Sequence, residues 1–519
     1  MDKIEVARIL AEIGSLLELK GDNPFKVRAY ENAARAVESF EGDLEEAIRT
    51  GRLLEQKGIG KALFDKIVEL HDTGHLKYYE QLKEEIPPGL LEMIKIPGVG
   101  PKKAKTLYDL LGISTVGELE YACLENRLVE LRGFGKTTQE KILKGIEYYK
   151  KGRGLHLFSN ALAEANKLLS AVKKNRDIIR IEIAGSIRRR KEVIKDIDLV
   201  ASVRSGMEGK VMDFFTRLPA VQSVTVKGDT KSSVMLKSGI SADLRLVSDV
   251  EFPFALHHST GSMEHNAAMR SRAKKMGFKM NEYGLFRGED IILCKDESEI
   301  FKTLGLSYIP PELREDSGEI EAAERGELPE LLELGDIKGI FHVHTTFSDG
   351  SMTLAEAVRI AKELGFQYIG IADHSKSAYY AGGLTEERIR EQHEEIDRLN
   401  KGSKDFHIFK GVECDILADG SLDYDNSVLS TFDFVIASIH SRFNMSEAEM
   451  TKRIITAISN PYTTFLGHPT GRLLLSRDGY QVDLKKVIDA AGDHKVVIEV
   501  NSHPYRLDLD WRFCRYAKE

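Results

Sequence analysis

IRIEIAGSIRRRKEVIKDIDLV, residues 179–200, places two strand patterns on either side of a small-residue turn and a cationic run. Ile179, Ile181 and Ile183 alternate with polar residues, the period of a half-buried strand. Gly185-Ser186 makes the turn, and Arg188, Arg189, Arg190 and Lys191 follow. A second apolar stretch then carries Asp196 and Asp198 two positions apart. Residues i and i+2 of a strand face the same side, so these carboxylates converge. Converging carboxylates repel unless a cation lies between them, and hard oxygen donors at this spacing suit Mg2+ or Mn2+. Asp243, in the strand-like run SADLRLV, is a third candidate for the same site. Turn, basic helix start and Asp-x-Asp together predict a mixed sheet with helices, built for metal-assisted phosphoryl transfer, with backbone amides receiving a triphosphate.

The chain around this stretch has 519 residues, too many for one hydrophobic core, so several domains are expected. Hydrophobic residues make up 42% and charged residues 30%, an ordinary soluble composition, and no run of about eighteen apolar residues suggests a membrane span. The opening MDKIEVARILAEIG reads as an amphipathic helix, not a signal peptide. Cys123, Cys294, Cys414 and Cys514 lie far apart without a zinc spacing, which points to a reduced, cytoplasmic protein. A net charge of −8 argues against nucleic acid until its distribution is examined. Residues 151–310, which hold the Asp-x-Asp stretch, carry 27 Lys and Arg against 19 Asp and Glu, whereas residues 311–519 carry 24 against 37. The basic segment is the one a nucleic-acid channel requires.

Residues 1–90 read as a small helical bundle, with apolar residues at helical spacing through Ile4 to Leu19, Tyr30 to Phe40 and Leu63 to Leu70, and a break at Asn23-Pro24. QKGIGKALFDKI places Gly58 and Gly60 before a helix, IPGVGPKKAKTL repeats the pattern with Gly98 and Gly100, and LRGFGKTTQEKI repeats it again with Gly133 and Gly135. A single copy would more often be a helix–helix turn. Three copies with the same flanks form a helix-hairpin-helix signature, in which N–H groups at a helix start receive DNA phosphates without regard to sequence.

Three hairpins followed by a Gly-Ser turn and Asp-x-Asp resemble the family X DNA polymerases, and the resemblance continues in order through HSTGSMEHNAAMRSRAKKMGFKMNEYGLF, which is similar to the family's thumb. It covers roughly residues 1–310. It implies that Asp196, Asp198 and Asp243 hold catalytic metals and that Gly185, Ser186 and Arg189 contact the triphosphate. Thr260, Gly261, Ser262 and Asn266 would line the nucleotide pocket, and Arg270 the template side. Lys26 and Tyr30 match the family's 5′-phosphate pocket, and Lys66 aligns with the lysine that forms a Schiff base in members that excise 5′-deoxyribose phosphate. Lys61 is close by in sequence, a neighbouring cation that could lower the Lys66 pKa. Where the family has an aromatic pair before Thr-Gly-Ser, this chain has His258 and Ser259, which predicts a looser sugar pocket.

From Ile309 to Ile340 the chain is acidic and starts with prolines, the composition of a linker, although its recurring Leu and Ile predict partial docking. FHVHTTFSDG then opens a second catalytic module. His342, His344, Asp349, His374, Glu413, His440 and His468 recur at or just after the ends of short apolar strands separated by helical stretches. Such alternation predicts a barrel whose strand ends gather into one site, and the repeated metal-type residues predict a multinuclear centre. The order resembles the polymerase-and-histidinol-phosphatase (PHP) domain, which implies Mn2+ or Zn2+ and 3′-5′ exonuclease or end-cleaning chemistry. The family's last ligands, an Asp-x-His, would follow the stretch at which this sequence stops. A (β/α)7-type barrel lacking its final elements, with an open edge and low exonuclease activity, is therefore expected.

The expected organisation is a helical lyase-like domain at 1–90, a hairpin domain at 91–150, a palm at 151–250, a thumb at 251–310, a linker at 311–335 and a PHP module at 336–519. The expected function is short-gap synthesis on gapped or primed duplex DNA with dNTPs, by a monomer that is not membrane-bound. A rival reading makes the chain chiefly a DNA-end phosphoesterase that uses its first 310 residues to grip DNA.

Overall fold

A computed structural model of the chain describes residues 3–519 except 39, 41–43, 57, 130, 152, 153, 404 and 476. The chain divides into two compact units, Met1–Tyr149 and Lys150–Glu519. Among the described residues, no helix is long and apolar enough to cross a membrane.

The first unit is helical. In the Lys3–Lys20 helix, Val6, Leu10, Ile13, Leu16 and Leu17 recur every three or four residues and are fully buried, each contributing about 1.5–3 kcal/mol by leaving water. The Asn23-Pro24 break is a helix start: Asn23 Oδ1 accepts from Phe25 N–H at 2.9 Å, and Pro24 opens the Pro24–Glu38 helix.

In the second unit a five-stranded sheet runs in the order Ile178–Ile183, Asp196–Val203, Ser241–Val247, Lys231–Leu236, Val221–Lys227. All its pairs are antiparallel except Asp196–Val203 with Ser241–Val247, which is parallel. Because Ile178–Ile183 is an edge strand, Ile179 is 50% exposed while Ile181 is buried. The sheet packs on the Phe158–Val172 and Glu208–Thr216 helices through Ala165, Leu168, Val211 and Phe215.

A smaller subdomain follows, with helices Phe252–Thr260, Met263–Lys275 and Glu297–Thr303 and a three-stranded antiparallel sheet, around Phe254, Met269, Leu285, Phe301 and Leu304. The acidic stretch, expected as a linker partly docked through its recurring Leu and Ile, joins this core. Ile309, Ile320 and Ala323 pack into it, and Arg314 is fully buried, donating to Ile309 O at 2.9 Å and to Glu297 Oε1 at 2.5 Å. Residues 311–325 are thus part of the subdomain and not a free tether, because a buried guanidinium must be held by such partners.

The last module is a parallel sheet of six strands in sequential order: Gly339–Val343, Tyr368–His374, His407–Asp415, Phe434–Ser438, Phe465–Leu466 and Val497–Ile498. Helices such as Leu354–Glu363, Glu386–Lys401, Glu447–Ile458 and Leu484–His494 make the crossovers. The second to fourth strands are almost wholly buried, as both faces of a parallel sheet require. The fold class is the one expected, a multidomain α and α/β chain. The (β/α)7-type barrel expected to lack its final elements is, among the described residues, an open parallel sheet of six strands, each outer strand paired on one side.

Candidate active sites

The strands that carry the acidic residues lie side by side, Asp198 opposite Asp243 and Asp196 opposite Ser241. Ile197, Leu199, Ala242 and Leu244 point the other way and are buried, so the three carboxylates share one half-buried face. Farther along that face Val200 is covered by Phe252, Ala255 and Leu256. Gly185 closes the site from the turn side. Its φ is +63°, and a Cβ there would fall 2.0 Å from Asp198 Oδ2, so only glycine fits. Ala184 N–H donates to Asp198 O at 2.8 Å, which fastens the turn to the Asp strand. Burial, then repulsion from Asp196 and Asp243, pushes the Asp198 carboxyl up to about 6.

Lys231, which pairs in register with Arg245 two residues from Asp243, places Nζ 2.6 Å from Asp243 Oδ2. Nothing in the sequence around Lys231 signals this contact, since the cross-strand register creates it.

The arginine run reaches across to the Thr-Gly-Ser turn. Arg188 donates to Thr260 Oγ1 at 2.6 Å and to Glu297 Oε2 at 2.5 Å. Arg189 donates to Thr260 O and, at 2.8 Å, to Glu315 Oε1. Ser262 Oγ caps the Met263–Lys275 helix by accepting from His265 N–H at 3.1 Å. Asn266 Nδ2 donates to His258 O at 2.8 Å. Gly185, Ser186 and Arg189 on one side and Thr260, Gly261, Ser262 and Asn266 on the other are thereby brought together, while Arg270, one turn beyond Asn266, is exposed.

In the N-terminal unit Lys66 Nζ donates to Tyr30 Oη at 2.9 Å and lies 4.5 Å from the Tyr78 ring, with Lys26 Nζ 5.3 Å from the same ring. Lys26, Tyr30 and Lys66 therefore meet around Tyr78, a residue without a sequence signal because it sits on a separate helix, Lys77–Glu84. Lys61, expected as the cation beside Lys66, instead pairs with Asp65 at 2.8 Å and is exposed.

Gly58, Gly98 and Gly133 have φ of 105°, 90° and 92°. Gly60 and Gly100 cap the Lys61–Thr73 and Pro101–Leu111 helices, and Gly135 opens Gly135–Lys151. Gly60 and Gly100 are extended, and a Cβ on either would meet nothing within 4 Å. Neither internal packing nor dihedral demands glycine at these two positions. A phosphate backbone drawn close to the helix amides would.

Glu413, 1% exposed, stands at the centre of the C-terminal module. Its Oε1 lies 3.1 Å from His342 Nε2, 3.1 Å from His440 Nε2 and 2.9 Å from His468 Nε2, and its Oε2 lies 2.9 Å from His374 Nδ1 and 3.5 Å from His344 Nε2. Asp349 is 3.5 Å from both His344 and His374. Parallel strands of similar length make this possible, because Glu413 and His374 are in register at neighbouring strand ends. The donor atoms form three overlapping groups within 4.8 Å: His342, Glu413 and His468; His344, Asp349 and His374; His374, Glu413 and His440. All seven expected ligands are included. Burial lowers the His342 imidazole, but Glu499 and Glu413 outweigh it and carry it up to about 10.

The sequence matches family models over most of its length: a helix-hairpin-helix domain at residues 1–76, a SAM-like helix-hairpin-helix tandem at 90–147, the DNA polymerase beta thumb at 255–315 and the PHP domain at 341–503. It is 40% identical to the DNA polymerase/3′-5′ exonuclease PolX of Bacillus subtilis (strain 168), over the whole of this chain and 90% of that protein. This chain belongs to the family X DNA polymerases that carry a PHP domain. The repair DNA polymerase X of African swine fever virus (strain Badajoz 1971 Vero-adapted) is 31% identical over 31% of this chain and 92% of the viral protein. A probable phosphatase of Caldanaerobacter subterraneus subsp. tengcongensis is 33% identical over 32% of this chain and 62% of its own length.

Both sites of the polymerase fit divalent ions. The C-terminal site mixes imidazole and carboxylate donors, and within it His344 Nδ1 and His468 Nδ1 are buried without a hydrogen-bond partner. On the five-stranded sheet, Asp198 shares a face with Asp196 and Asp243, and burial followed by repulsion from these two disfavours its ionised form.

Sequence reasoning missed the groups that orient the imidazoles. Glu499 Oε1 lies 2.5 Å from His342 Nδ1, and its other oxygen accepts from His468 N–H at 2.7 Å. Asp415 Oδ1 lies 2.7 Å from His440 Nδ1. Such partners fix ring orientation and raise ligand basicity. Both were findable: Glu499 directly follows an apolar strand, and Asp415 is two residues from Glu413 on one strand.

Proposed function

We propose that this polymerase fills short gaps in duplex DNA, joining a dNTP to a primer 3′-hydroxyl at Asp196, Asp198 and Asp243, and that its PHP centre hydrolyses phosphodiesters at 3′ ends. The observation that carries the first part is the packing of Gly185 against Asp198, opposite Asp243, which sets the Gly-Ser turn beside three carboxylates. Divalent ions held there, Mg2+ or Mn2+, would activate the hydroxyl and neutralise the departing pyrophosphate. Asp243, whose Oδ2 lies 2.6 Å from Lys231 Nζ, accepts the hydroxyl proton. Ser186, Arg189 and the turn amides orient the triphosphate. Thr260, Gly261, Ser262 and Asn266 border the nucleotide, Arg270 lies along the template, and the hairpin glycines admit DNA phosphates. In the PHP centre, the seven ligands would hold Mn2+ or Zn2+. The names of the Bacillus and viral relatives support synthesis, and the Bacillus name also supports 3′-5′ hydrolysis. The enzyme acts as a cytoplasmic monomer on gapped or primed duplex DNA.

A one-nucleotide-gap duplex tests the reading: wild type adds one dNTP, and Asp196→Ala falls about a thousandfold or more. Undiminished extension by Asp196→Ala refutes it.

The meeting of Lys26, Tyr30 and Lys66 around Tyr78 supports a 5′-phosphate subsite on the downstream strand. Lys66→Ala is expected to weaken the preference for a 5′-phosphorylated over a 5′-hydroxyl gap about tenfold, the size of one charge-assisted contact. An unchanged preference in a binding titration excludes the subsite, and borohydride trapping of a 5′-deoxyribose phosphate end tests Lys66 as a lyase nucleophile.

A further inference from the structure

Both oxygens of Glu315 are taken by the cationic run. Oε1 accepts from Arg189 Nε at 2.8 Å, and Oε2 lies 3.3 Å from Lys191 Nζ. The three side chains are 17%, 14% and 22% exposed for Glu315, Arg189 and Lys191, so water screens these pairs only partly. The rest of the Arg189 guanidinium faces the Thr-Gly-Ser turn, donating to Thr260 O, and a Cβ on Gly261 would come 3.1 Å from its Nη1.

Glu315 is held in place by its neighbour. Arg314 is fully buried, bound to Glu297 and Ile309 O and lying over the Phe301 and Tyr308 rings, and its own carbonyl accepts from Ser262 N–H at 2.9 Å. The Glu312–Arg190 pair at 3.1 Å is more exposed and contributes little. An anchored carboxylate whose two oxygens sit on two separate cations has the charge and acceptor pattern of a phosphate group.

We propose that Glu315 is an internal stand-in for a nucleotide phosphate, occupying the cations of the triphosphate subsite until an incoming triphosphate displaces it. The inference rests on the reading of Arg189 as a triphosphate contact. It adds that the anchored 311–315 segment sets nucleotide affinity by competing for the same guanidinium. An occupant that leaves the subsite free only part of the time raises the apparent dissociation constant by the reciprocal of that fraction. It also favours ligands that offer more negative charge and more acceptor oxygens, so a triphosphate should displace it better than a monophosphate.

The test measures the dNTP KM on a gapped duplex, and the direct binding of inorganic tripolyphosphate by calorimetry, for wild type, Glu315→Gln, Arg189→Gln and the double variant. Glu315→Gln is expected to lower the dNTP KM and tighten tripolyphosphate about tenfold, with kcat moving far less, and the gain should vanish in the double variant. If Arg189→Gln weakens both ligands while Glu315→Gln leaves them unchanged or weaker, the stand-in is overturned and the triphosphate contact survives. If Arg189→Gln changes neither, the contact itself is wrong and the stand-in falls with it. Should Glu315→Gln not fold, Glu315→Asp, whose shorter arm cannot span both cations, must shift both quantities in the same direction by a smaller factor; no shift overturns the proposal.

Discussion

Asp198→Asn is expected to cut nucleotide addition about a thousandfold and, in chelated protein at pH 7, to make the fold more stable. The first effect follows from removing a carboxylate from the face it shares with Asp196 and Asp243. The second follows from the same geometry without metal. Burial and the two neighbouring carboxylates push Asp198 up to about 6 from an ordinary value of 3.8. Keeping it ionised at neutral pH therefore costs on the order of 2–3 kcal/mol. Because the folded-state pKa is raised, the native protein is favoured where Asp198 is protonated, and that advantage is lost as pH climbs from about 4 through about 6. Asparagine, neutral throughout, should raise the melting temperature at pH 7 and make no such gain at pH 4. Thermal melts in EDTA between pH 4 and 8 check the sign, and a stabilisation as large at pH 4 as at pH 7 would exclude charge repulsion as its cause. Mg2+ should stabilise wild type more than the variant, since it replaces repulsion with coordination.

Glu413→Gln should strip metal from two of the three donor groups of the PHP centre while leaving gap filling intact. One carboxylate serves two of the three donor groups and touches five imidazoles, so its neutralisation removes the charge that balances them. Metal content after dialysis against Mn2+, read by mass spectrometry, is expected to fall by about two ions per chain, and hydrolysis of a 3′ single-stranded end to fall at least about a hundredfold. Full retention of bound ions would show that the imidazoles and Asp349 suffice. A parallel loss of gap filling would show that the two centres are not separable.

Local pattern carried most of these sites into view. Period-two alternation put Asp196 and Asp198 on one face, and the hairpin glycines repeat with the same flanks. His342, His374, Glu413 and His468 announce themselves because parallel strands present their ends at one edge, making the spacing of metal-type residues a reading of topology. Lys231, Tyr78 and Glu315 were invisible for the complementary reason: each acts through a partner on another element, Asp243, Lys66 and Arg189 respectively. In the 311–325 stretch the recurring apolar residues signalled docking, but composition does not reveal that Arg314 has a buried carboxylate waiting for it.

The sequence by itself determined the chemistry available to this protein: a carboxylate pair on a strand, three glycine hairpins with the same flanks, and seven metal-type residues in strand-end order. These are properties of residue type and spacing, which the backbone periods of helix and strand translate directly into faces and ends. Tertiary structure alone decided which charges meet across elements: Lys231 on Asp243, Glu499 behind His342, Glu315 on Arg189. Such pairings depend on sheet register and on how one subdomain seats against the next, and no local period encodes either.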